Sequence, residues 1–286
     1  MLTWIEPHQP LPAATRARRE PNGLVAAGRD LSAARLLEAY GKGIFPWFSA
    51  GMPVLWWSPD PRMVVFTAEF EPGRSLGKTL RRIARPGGWE IALDRDFGAV
   101  IEACAAHARP GQDGTWITPA IRDAYVDLHR AGHAHSFEVR RDGALIAGLY
   151  GVSIGRMFFG ESMFTHVTDG SKCAYAALVA TLRSLDMPMV DCQQSTRHLA
   201  SLGGRDIDRI AFLDRIVHLC RQPAPDWSQV EVRWPVATTA GMLAEVGTDA
   251  GSPAIEPAVR MDESFGTVTG CDPSAIEPSK AGAPDA

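Results

Sequence analysis

The sequence predicts an α+β fold, in which a small N-terminal domain is followed by a mixed sheet flanked by helices. Two observations support this fold class. Amphipathic helices and short apolar strands alternate between residues 63 and 193, and the middle of this range holds three strands in succession, then a helix and a further strand. The 286 residues are enough for a sizeable core, and we expect domains at 1–62 and 63–235 followed by a tail at 236–286.

The N-terminal domain is predicted to contain one helix and a segment rich in aromatic residues. The helix is expected to begin after Ser32, its N-cap, and to end near Gly41 or Gly43. Residues 43–48 and 55–62 then place several aromatic rings beside prolines. Such a segment is too rigid and apolar for a flexible linker, which favours a hydrophobic brace between two domains. A stacking platform for a nucleic-acid base is the alternative.

The larger domain is predicted to begin with a strand at 63–66 and a basic helix at 75–85. Four cationic side chains on this helix lie three or four residues apart and therefore share one face: they are Lys78, Arg81, Arg82 and Arg85. This face fits contacts with phosphate groups as well as it fits an ordinary solvated helix surface, and the sequence leaves both interpretations open.

The remaining elements form a β-β-β-helix-β succession, preceded by one strand and two helices. The strands are predicted at 89–93, 134–139, 145–150, 157–159 and 190–193, and the helices at 97–106, at 119–130 and from Ser171. Thr118 is a plausible N-cap for the second helix, whose first residue is a proline. The succession is typical of N-acyltransferase (GNAT-like) folds, which is an analogy of fold alone.

Charge is distributed unevenly along the chain. The net charge is −4, but residues 236–286 contain eight acidic and two basic residues, so that the tail carries −6 and the preceding body +2. A mildly basic body is compatible with a polyanionic partner. The tail is rich in Ala, Gly and Pro, and we expect it to be largely disordered and assign it no role.

No segment of the sequence indicates a membrane protein, a secretory signal or a metal site. No apolar run approaches membrane-spanning length, and five cysteines are scattered without zinc-ligand spacing, so a reducing cytoplasm fits best. His133 and His135 could share one strand face as two metal ligands, but a third ligand is not apparent. Structural histidines are therefore the favoured interpretation.

Polar residues inside the last strand suggest a binding site. A two-residue period puts Asp191 and Gln193 on one face, and Cys192 on the other as a core thiol. Glu161 follows Gly160 and is either an ordinary loop charge or, beside Asp191, part of an acidic recess for a cation. Since no Walker loop, pyrophosphate loop or dinucleotide motif is present, no cofactor is expected, and CoA, NAD and ATP are disfavoured as substrates.

Seven short motifs occur together and in order along the chain. They are EPNGL at 20–24, GIFPWF at 43–48, LWWSPDPR at 55–62, GTWIT at 114–118, GHAHS at 132–136, GESMF at 160–164 and DCQ at 191–193. With these motifs the chain resembles the bacterial leucyl/phenylalanyl-tRNA–protein transferases from about Pro21 to Leu213.

The resemblance implies a reaction, its substrates and its location. Members of this family move Leu, Phe or, less well, Met from aminoacyl-tRNA to proteins that begin with Arg or Lys, which marks those proteins for N-degron proteolysis. An aminoacyl ester is already activated, so the transfer requires neither ATP nor CoA. We expect a cytoplasmic monomer that acts without a membrane or a cofactor.

The resemblance also assigns site residues. Asp191 and Gln193 would position and activate the acceptor amine, and Glu161 would help to hold its cationic residue. Whether Gln193 is a base or only positions the amine is left open, although positioning with electrostatic help from Asp191 is chemically easier. Trp47 and Trp116 are implied beside the terminal adenosine of tRNA, and Phe158, Met163 and Val190 around the transferred side chain. Tyr125 is implied near the site. The substrate-binding residues also include Leu149, Leu178 and Leu182, which stand where compared members have Met, Phe and Phe.

Two other functions fit parts of the sequence. Peptidoglycan-type aminoacyltransferases also use charged tRNA, but they usually carry a long coiled coil, and no heptad run is present here. A catalytically silent module that binds tRNA or peptide is the other alternative. The presence of Glu161, Asp191 and Gln193 together argues against it.

Overall fold

The computed structural model of the protein describes residues 2–107, 115–237 and 243–244. All of them belong to one compact unit, residues 1–247. The predicted disordered tail falls almost entirely outside the described residues. No helix among the described residues is long and apolar enough to cross a membrane.

A small four-stranded sheet forms the N-terminal part of the molecule, with strand order β1-β2-β4-β3. Its strands are β1 (Thr3–Ile5), β2 (Leu24–Gly28), β3 (Phe45–Pro46) and β4 (Val54–Trp57). Helix α1 (Ala33–Gly41) begins where predicted, because the Ser32 side chain caps it by accepting a hydrogen bond from the Arg35 backbone N–H. The two aromatic segments, at 43–48 and 55–62, contribute strands β3 and β4 of this sheet. The predicted domain boundary near residue 62 stays a prediction, although all four strands precede it.

A seven-stranded mixed sheet forms the larger part, with strand order β11-β5-β10-β9-β8-β7-β6. Its strands are β5 (Arg62–Phe66), β6 (Glu90–Leu93), β7 (Ala134–Arg141), β8 (Ala144–Ile154), β9 (Met157–Thr165), β10 (Met189–Gln193) and β11 (Arg205–Ile207). Neighbouring strands are antiparallel except β9 and β10, which are parallel and are joined through a helix, as a parallel pair requires. A pair of two-residue strands, β12 (Val236–Ala237) and β13 (Leu243–Ala244), follows.

Helices cover both faces of the large sheet and bury two separate apolar cores. They are α2 (Arg74–Ile83), α3 (Phe97–Ala106), α4 (Pro119–Arg130), α5 (Gly170–Ser184), α6 (Arg197–Ala200) and α7 (Arg209–Leu219). One core joins apolar side chains of α1, α3, α4 and α7 with those of the small sheet. The other contains the apolar faces of α2 and α5. The predicted α+β class with helices flanking a mixed sheet is confirmed.

The main local differences from the prediction concern β9 and α2. Strand β9 continues to Thr165, so Glu161 lies within a strand and not in a loop. The pairing of β9 with β8 shifts register there, because Gly160 and Ser162 face consecutive residues of β8 and Glu161 is the extra residue between them. A bulge leaves its extra residue outside the regular pairing, which suits a residue of low strand propensity such as Glu. Helix α2 ends at Ile83, so Arg85 lies beyond it.

Candidate active site

A cavity of about 740 Å³ is lined by residues of the small sheet, β8, β9, β10 and α5. Much of the wall is apolar or aromatic, which suits an apolar side chain and a stacked base. Its apolar and aromatic residues include Phe45, Pro46, Trp47, Trp116, Leu149, Met163, Phe164, Leu178 and Val190. Glu161 is the only acidic residue among the described lining residues.

The Glu161 carboxylate accepts hydrogen bonds from three different elements. The Tyr40 hydroxyl on α1 donates to Oε1 at 2.7 Å, and the Tyr125 hydroxyl on α4 donates to Oε2 at 3.0 Å. The Gln193 Nε2 at the end of β10 donates to Oε1 at 2.7 Å. The two tyrosine hydroxyls also contact each other. One carboxylate therefore connects the N-terminal domain with the large sheet.

Burial raises the pKa of Glu161 to about 8, because the charged carboxylate is poorly solvated there. The negative charge of Asp191 raises the pKa further, whereas the hydrogen bonds from Tyr40, Tyr125 and Gln193 lower it. All three donors are neutral, and within the described part of the chain Glu161 forms no ion pair. The cavity therefore presents a carboxyl group that a cationic ligand would stabilise in its charged form.

Asp191 lies behind the cavity wall in a fully buried ion pair. Arg62 donates to it through two nitrogens, Nε to Oδ1 at 2.8 Å and Nη2 to Oδ2 at 2.6 Å, and both side chains have no exposed area. The Gln193 backbone N–H also donates to Asp191 Oδ1 at 2.9 Å. Asp191 thus contacts Gln193 but does not line the cavity.

The prediction that strand alternation puts Asp191 and Gln193 on one face is wrong. The pairing of β10 with β5 shifts register between these two residues, and Gln193 has a left-handed φ of 62°. A bulge of this kind breaks the two-residue period of the side chains. Gln193 faces the cavity for that reason, and Asp191 faces Arg62.

Cys192 packs against the core beside α5, as predicted for a core thiol, and it also lines the cavity, which was not predicted. Its Sγ lies 3.7 Å from the Tyr175 hydroxyl. Burial raises the pKa of the Cys192 thiol to about 12, so the thiol is protonated near neutral pH. A protonated thiol is a poor nucleophile, which agrees with the view that Cys192 takes no part in the chemistry.

Of the remaining residues implied in substrate binding, some line the cavity and some do not. Those that line it are Trp47, Trp116, Leu149, Met163, Leu178 and Val190. The expectation for two others is corrected, because Phe158 and Leu182 are fully buried and do not line the cavity, whereas Tyr125 lies near the site, as expected. Phe158 and Leu182 pack in the core beneath α5, and Tyr125 reaches the site only through its hydrogen bond to Glu161.

Trp47 lines the cavity and also packs against Trp57 of the small sheet, so the aromatic segment at 43–48 has both functions. Its side chain is 38% exposed, and its ring meets the edge of Trp57 at 5.7 Å between centroids. The Trp57 indole N–H donates to the Trp47 carbonyl at 2.7 Å and so fixes the strand end. Trp47 is therefore a held but accessible ring, which suits stacking.

The four predicted phosphate contacts are exposed but lie outside the cavity. Lys78, Arg81 and Arg82 project from α2, and Arg85 follows its end. Among the described residues none of the four forms an ion pair. Their charges are therefore available to a polyanion at some distance from the cavity.

His135, one of the two histidines of the 132–136 motif, has a structural environment. His135 lies 2.6 Å from Asp94 through Nδ1 and stacks on Trp227 at 4.2 Å. Within the ranges that the structure describes, no group of three or more His, Cys, Asp or Glu side chains could hold a metal ion.

Tyr40 and Arg62 belong to the site, but the sequence did not indicate them. Tyr40 has the spacing of an inward residue of α1, and Arg62 ends an aromatic and proline-rich motif. Neither position carries a local pattern that links it to Glu161 or Asp191, which lie 121 and 129 residues away along the chain.

Comparison with known families and curated proteins gives a consistent result. The family model described as leucyl/phenylalanyl-tRNA protein transferase matches residues 64–217, and the model of its N-terminal domain matches residues 29–60. A leucyl/phenylalanyl-tRNA–protein transferase of Methylibium petroleiphilum is 56% identical over 239 residues, which cover 82% of this chain and 90% of the relative. One of Burkholderia orbicola is 51% identical over 254 residues, which cover 87% of this chain and all of the relative.

Two solved structures show distant similarity to the chain. L-PGS from Bacillus licheniformis has a TM-score of 0.33 and 11% identity, and the match covers 61% of this chain and 56% of the other. A GCN5-related N-acetyltransferase-like protein from Streptococcus suis has a TM-score of 0.30 and 15% identity, with coverage of 64% and 67%. The assignment therefore depends on the family models and the curated relatives. The chain belongs to the leucyl/phenylalanyl-tRNA–protein transferase family of aminoacyltransferases.

Proposed function

We propose that the protein transfers Leu, Phe and, less well, Met from aminoacyl-tRNA to proteins whose N-terminal residue is Arg or Lys, and thereby marks them for N-degron proteolysis. The observation that carries the proposal is Glu161, the one carboxyl group among the described residues of an otherwise largely apolar cavity. Its three hydrogen-bond donors are neutral, and no other described residue supplies it with a cationic partner. An N-terminal Arg or Lys supplies that cation.

The acceptor is expected to bind at Glu161. Keeping a buried carboxylate charged is costly, and an arriving cation offsets that cost through Coulomb attraction. An acceptor that begins with Arg or Lys carries two positive groups, the α-ammonium and the side chain. A neutral N-terminal residue offers only one, which supports a preference for basic N-termini.

The donor is expected to occupy the apolar part of the cavity. Trp47 and Trp116 line it and are suited to stacking against the terminal adenosine, while Leu149, Met163 and Leu178 suit an apolar side chain. Apolar pockets discriminate by only about 1–3 kcal/mol per methylene. Acceptance of Leu, Phe and Met by one pocket is consistent with that limit.

The reaction is aminolysis of an ester and needs no covalent enzyme intermediate. The acceptor α-ammonium loses a proton, its nitrogen attacks the ester carbonyl carbon, and the bond to the ribose oxygen breaks as that oxygen gains a proton. Because Gln193 uses Nε2 to donate to Glu161, its amide oxygen is the atom left to accept a hydrogen bond from the amine. An amide is a poor base, so Gln193 positions the amine.

Glu161 is the best-placed group to take the proton from the α-ammonium. Its pKa of about 8 is close to the usual α-amine value of roughly 7.7–8.0, so the proton moves between the two at little cost. Asp191 contributes through its charge, which raises the pKa of Glu161. Its own oxygens are held by Arg62 and the Gln193 backbone.

The tRNA body is expected to contact the basic residues on and just after helix α2. Lys78, Arg81, Arg82 and Arg85 are exposed near one another, and phosphate contacts of this kind supply affinity that falls as salt rises. We further propose that the enzyme acts as a monomer in the cytoplasm, without a cofactor or a membrane.

The test is a transfer assay with the purified full chain. Leu-, Phe- and Met-tRNA labelled in the amino acid are each mixed with peptides that begin with Arg, Lys or Ala and are otherwise identical. We expect transfer to the Arg and Lys peptides, none to an N-acetylated Arg peptide, and less from Met-tRNA. Salt-sensitive tRNA binding without any transfer would instead indicate a silent binding module.

A further inference from the structure

The Arg62 guanidinium is fully buried where two walls of the cavity meet. Besides its two bonds to Asp191, it donates through Nη1 to the Gly43 carbonyl at 3.2 Å. Its carbon lies 4.9 Å from the centre of the Phe45 ring and 4.6 Å from that of Phe212. One side chain therefore contacts β10, the segment before β3, and α7.

The first of these contacts leads to the wall that holds Glu161 and Gln193, here called the acceptor wall. Asp191 Oδ1 accepts from Arg62 Nε and also from the Gln193 backbone N–H at 2.9 Å. Gln193 has a left-handed φ of 62°, which residues other than Gly rarely adopt. In this conformation its amide lies 2.7 Å from Glu161 Oε1. The position of the amide thus depends on Asp191, and that of Asp191 depends on Arg62.

The second contact leads to the wall formed by Phe45, Pro46 and Trp47, here called the donor wall. The Gly43 carbonyl that Arg62 holds lies two residues before this wall begins. The Phe45 ring, which lies against the guanidinium, is itself part of the wall. Arg62 thereby fixes the start of the segment that presents Trp47.

We propose that Arg62 is a positioning residue for the transfer, because one guanidinium holds the acceptor wall and the donor wall at the separation that brings the amine to the ester. The proposal rests on the function proposed above. A buried ion pair is weak evidence for stability, since apolar residues of similar volume often replace it without loss. What only the planar guanidinium supplies is a set of directed hydrogen bonds to acceptors on two segments at once.

The test compares Arg62→Lys with Arg35→Lys. Arg35 is a matched control, because it is also buried, at 4% exposure, and pairs with Asp30 and Glu38 on the N-terminal domain. Its partners do not line the cavity. Both variants lose the fork of an arginine, but only Arg62→Lys removes the link between the two walls.

We expect the Kd of Arg62→Lys for aminoacyl-tRNA to stay within about threefold of the wild-type value. The kcat per binding site should fall roughly 30- to 100-fold, which is the effect of misplacing the amine relative to the ester by about 1 Å. Arg35→Lys should lower thermal stability but keep kcat per binding site. A purely structural role would lower the folded fraction and leave kcat per site unchanged. Equal kcat values in the wild type and in Arg62→Lys would overturn the proposal.

A second variant guards against a simple folding defect. The double variant Arg62→Met/Asp191→Leu replaces the ion pair by apolar side chains, and we expect it to fold and to bind aminoacyl-tRNA but to lose at least 30-fold in kcat. A folded double variant with full kcat would refute the positioning role.

A crystal structure of Arg62→Lys tests the proposal independently of any transfer. We expect Gln193 to leave its left-handed conformation and its hydrogen bond to Glu161. If both are kept, the proposal is wrong even where the wild type is active. Absence of transfer by the wild type would instead count against the proposed function alone.

Discussion

Replacing Glu161 by Gln should remove a pH-dependent cost from the folded protein. The change keeps the size of the side chain, and its amide can still accept from Gln193 and one tyrosine while donating to the other. The pKa of the wild-type Glu161 carboxyl group is about 8 in the folded state, whereas the ordinary value of a glutamate side chain, which applies to the unfolded chain, is 4.5. Because the folded value is the higher one, the folded protein keeps the proton between these pH values, and stability falls as pH rises.

The size of the effect follows from the two pKa values. Between pH 5.5 and 8.5 the Glu161 equilibrium lowers the free energy of unfolding by about 3 kcal/mol. The variant lacks this contribution, so its stability should decline by that much less over the same interval. Above pH 8.5 the contribution levels off, since Glu161 is then charged in both states.

The assay measures the free energy of unfolding in urea for the wild type and for Glu161→Gln, each at pH 5.5 and 8.5. The difference between the two proteins in their change with pH isolates the contribution of the Glu161 carboxyl group. Glu102→Gln, which removes a 58% exposed carboxylate outside the cavity, controls for the loss of one negative charge. Parallel pH curves for the wild type and Glu161→Gln would refute the reasoning.

In the transfer assay, the ratio of wild-type kcat to that of Glu161→Gln should shrink as pH rises above 8, because the amine then loses its proton without help. A ratio independent of pH would leave Glu161 with a binding role only.

Three further outcomes are expected. Trp47→Ala should weaken aminoacyl-tRNA binding by roughly 5- to 150-fold in a filter-binding assay, since stacking contributes about 1–3 kcal/mol per base, and an unchanged Kd would exclude stacking there. Leu178→Phe should reduce pocket volume and lower the kcat/KM ratio of Phe-tRNA to Leu-tRNA about tenfold, which competition between the two donors would measure. Lys78→Gln and Arg81→Gln should each weaken tRNA binding equally for all donors and reduce the slope of log Kd against log salt by roughly 1, whereas Arg130→Gln on the surface of α4 should not.

Local patterns predicted the secondary structure well. Helices α3 and α4 begin and end at the predicted residues, and the Thr118 side chain caps α4 as expected. Hydrophobic periodicity and N-caps act over a few residues, so a single segment contains the information that sets them. The motifs between residues 20 and 193 likewise indicated the family before any geometry was known.

The arrangement of the active site was only partly contained in the sequence. Glu161 and Gln193 were both expected at the site and both line the cavity. The expected alternation failed between Asp191 and Gln193, because a one-residue bulge reverses the side chains that follow it. Phe158 and Leu182 are apolar residues on the right elements, yet they face the core beneath α5 and not the cavity. Which side of a buried element meets a cavity depends on the neighbouring elements.

By itself the sequence determined the helices and strands between residues 63 and 193, the family, and the chemical character of the site as a carboxyl group among apolar residues. Tertiary structure alone decided that Tyr40 and Tyr125 hold Glu161, and that Arg62 holds Asp191. These contacts join residues 36 to 129 positions apart, and they form only when α1 and α4 pack against β9 and when β5 pairs with β10. The physical reason is that burial and pairing depend on all the elements that surround a residue, whereas periodicity and capping depend on its neighbours along the chain.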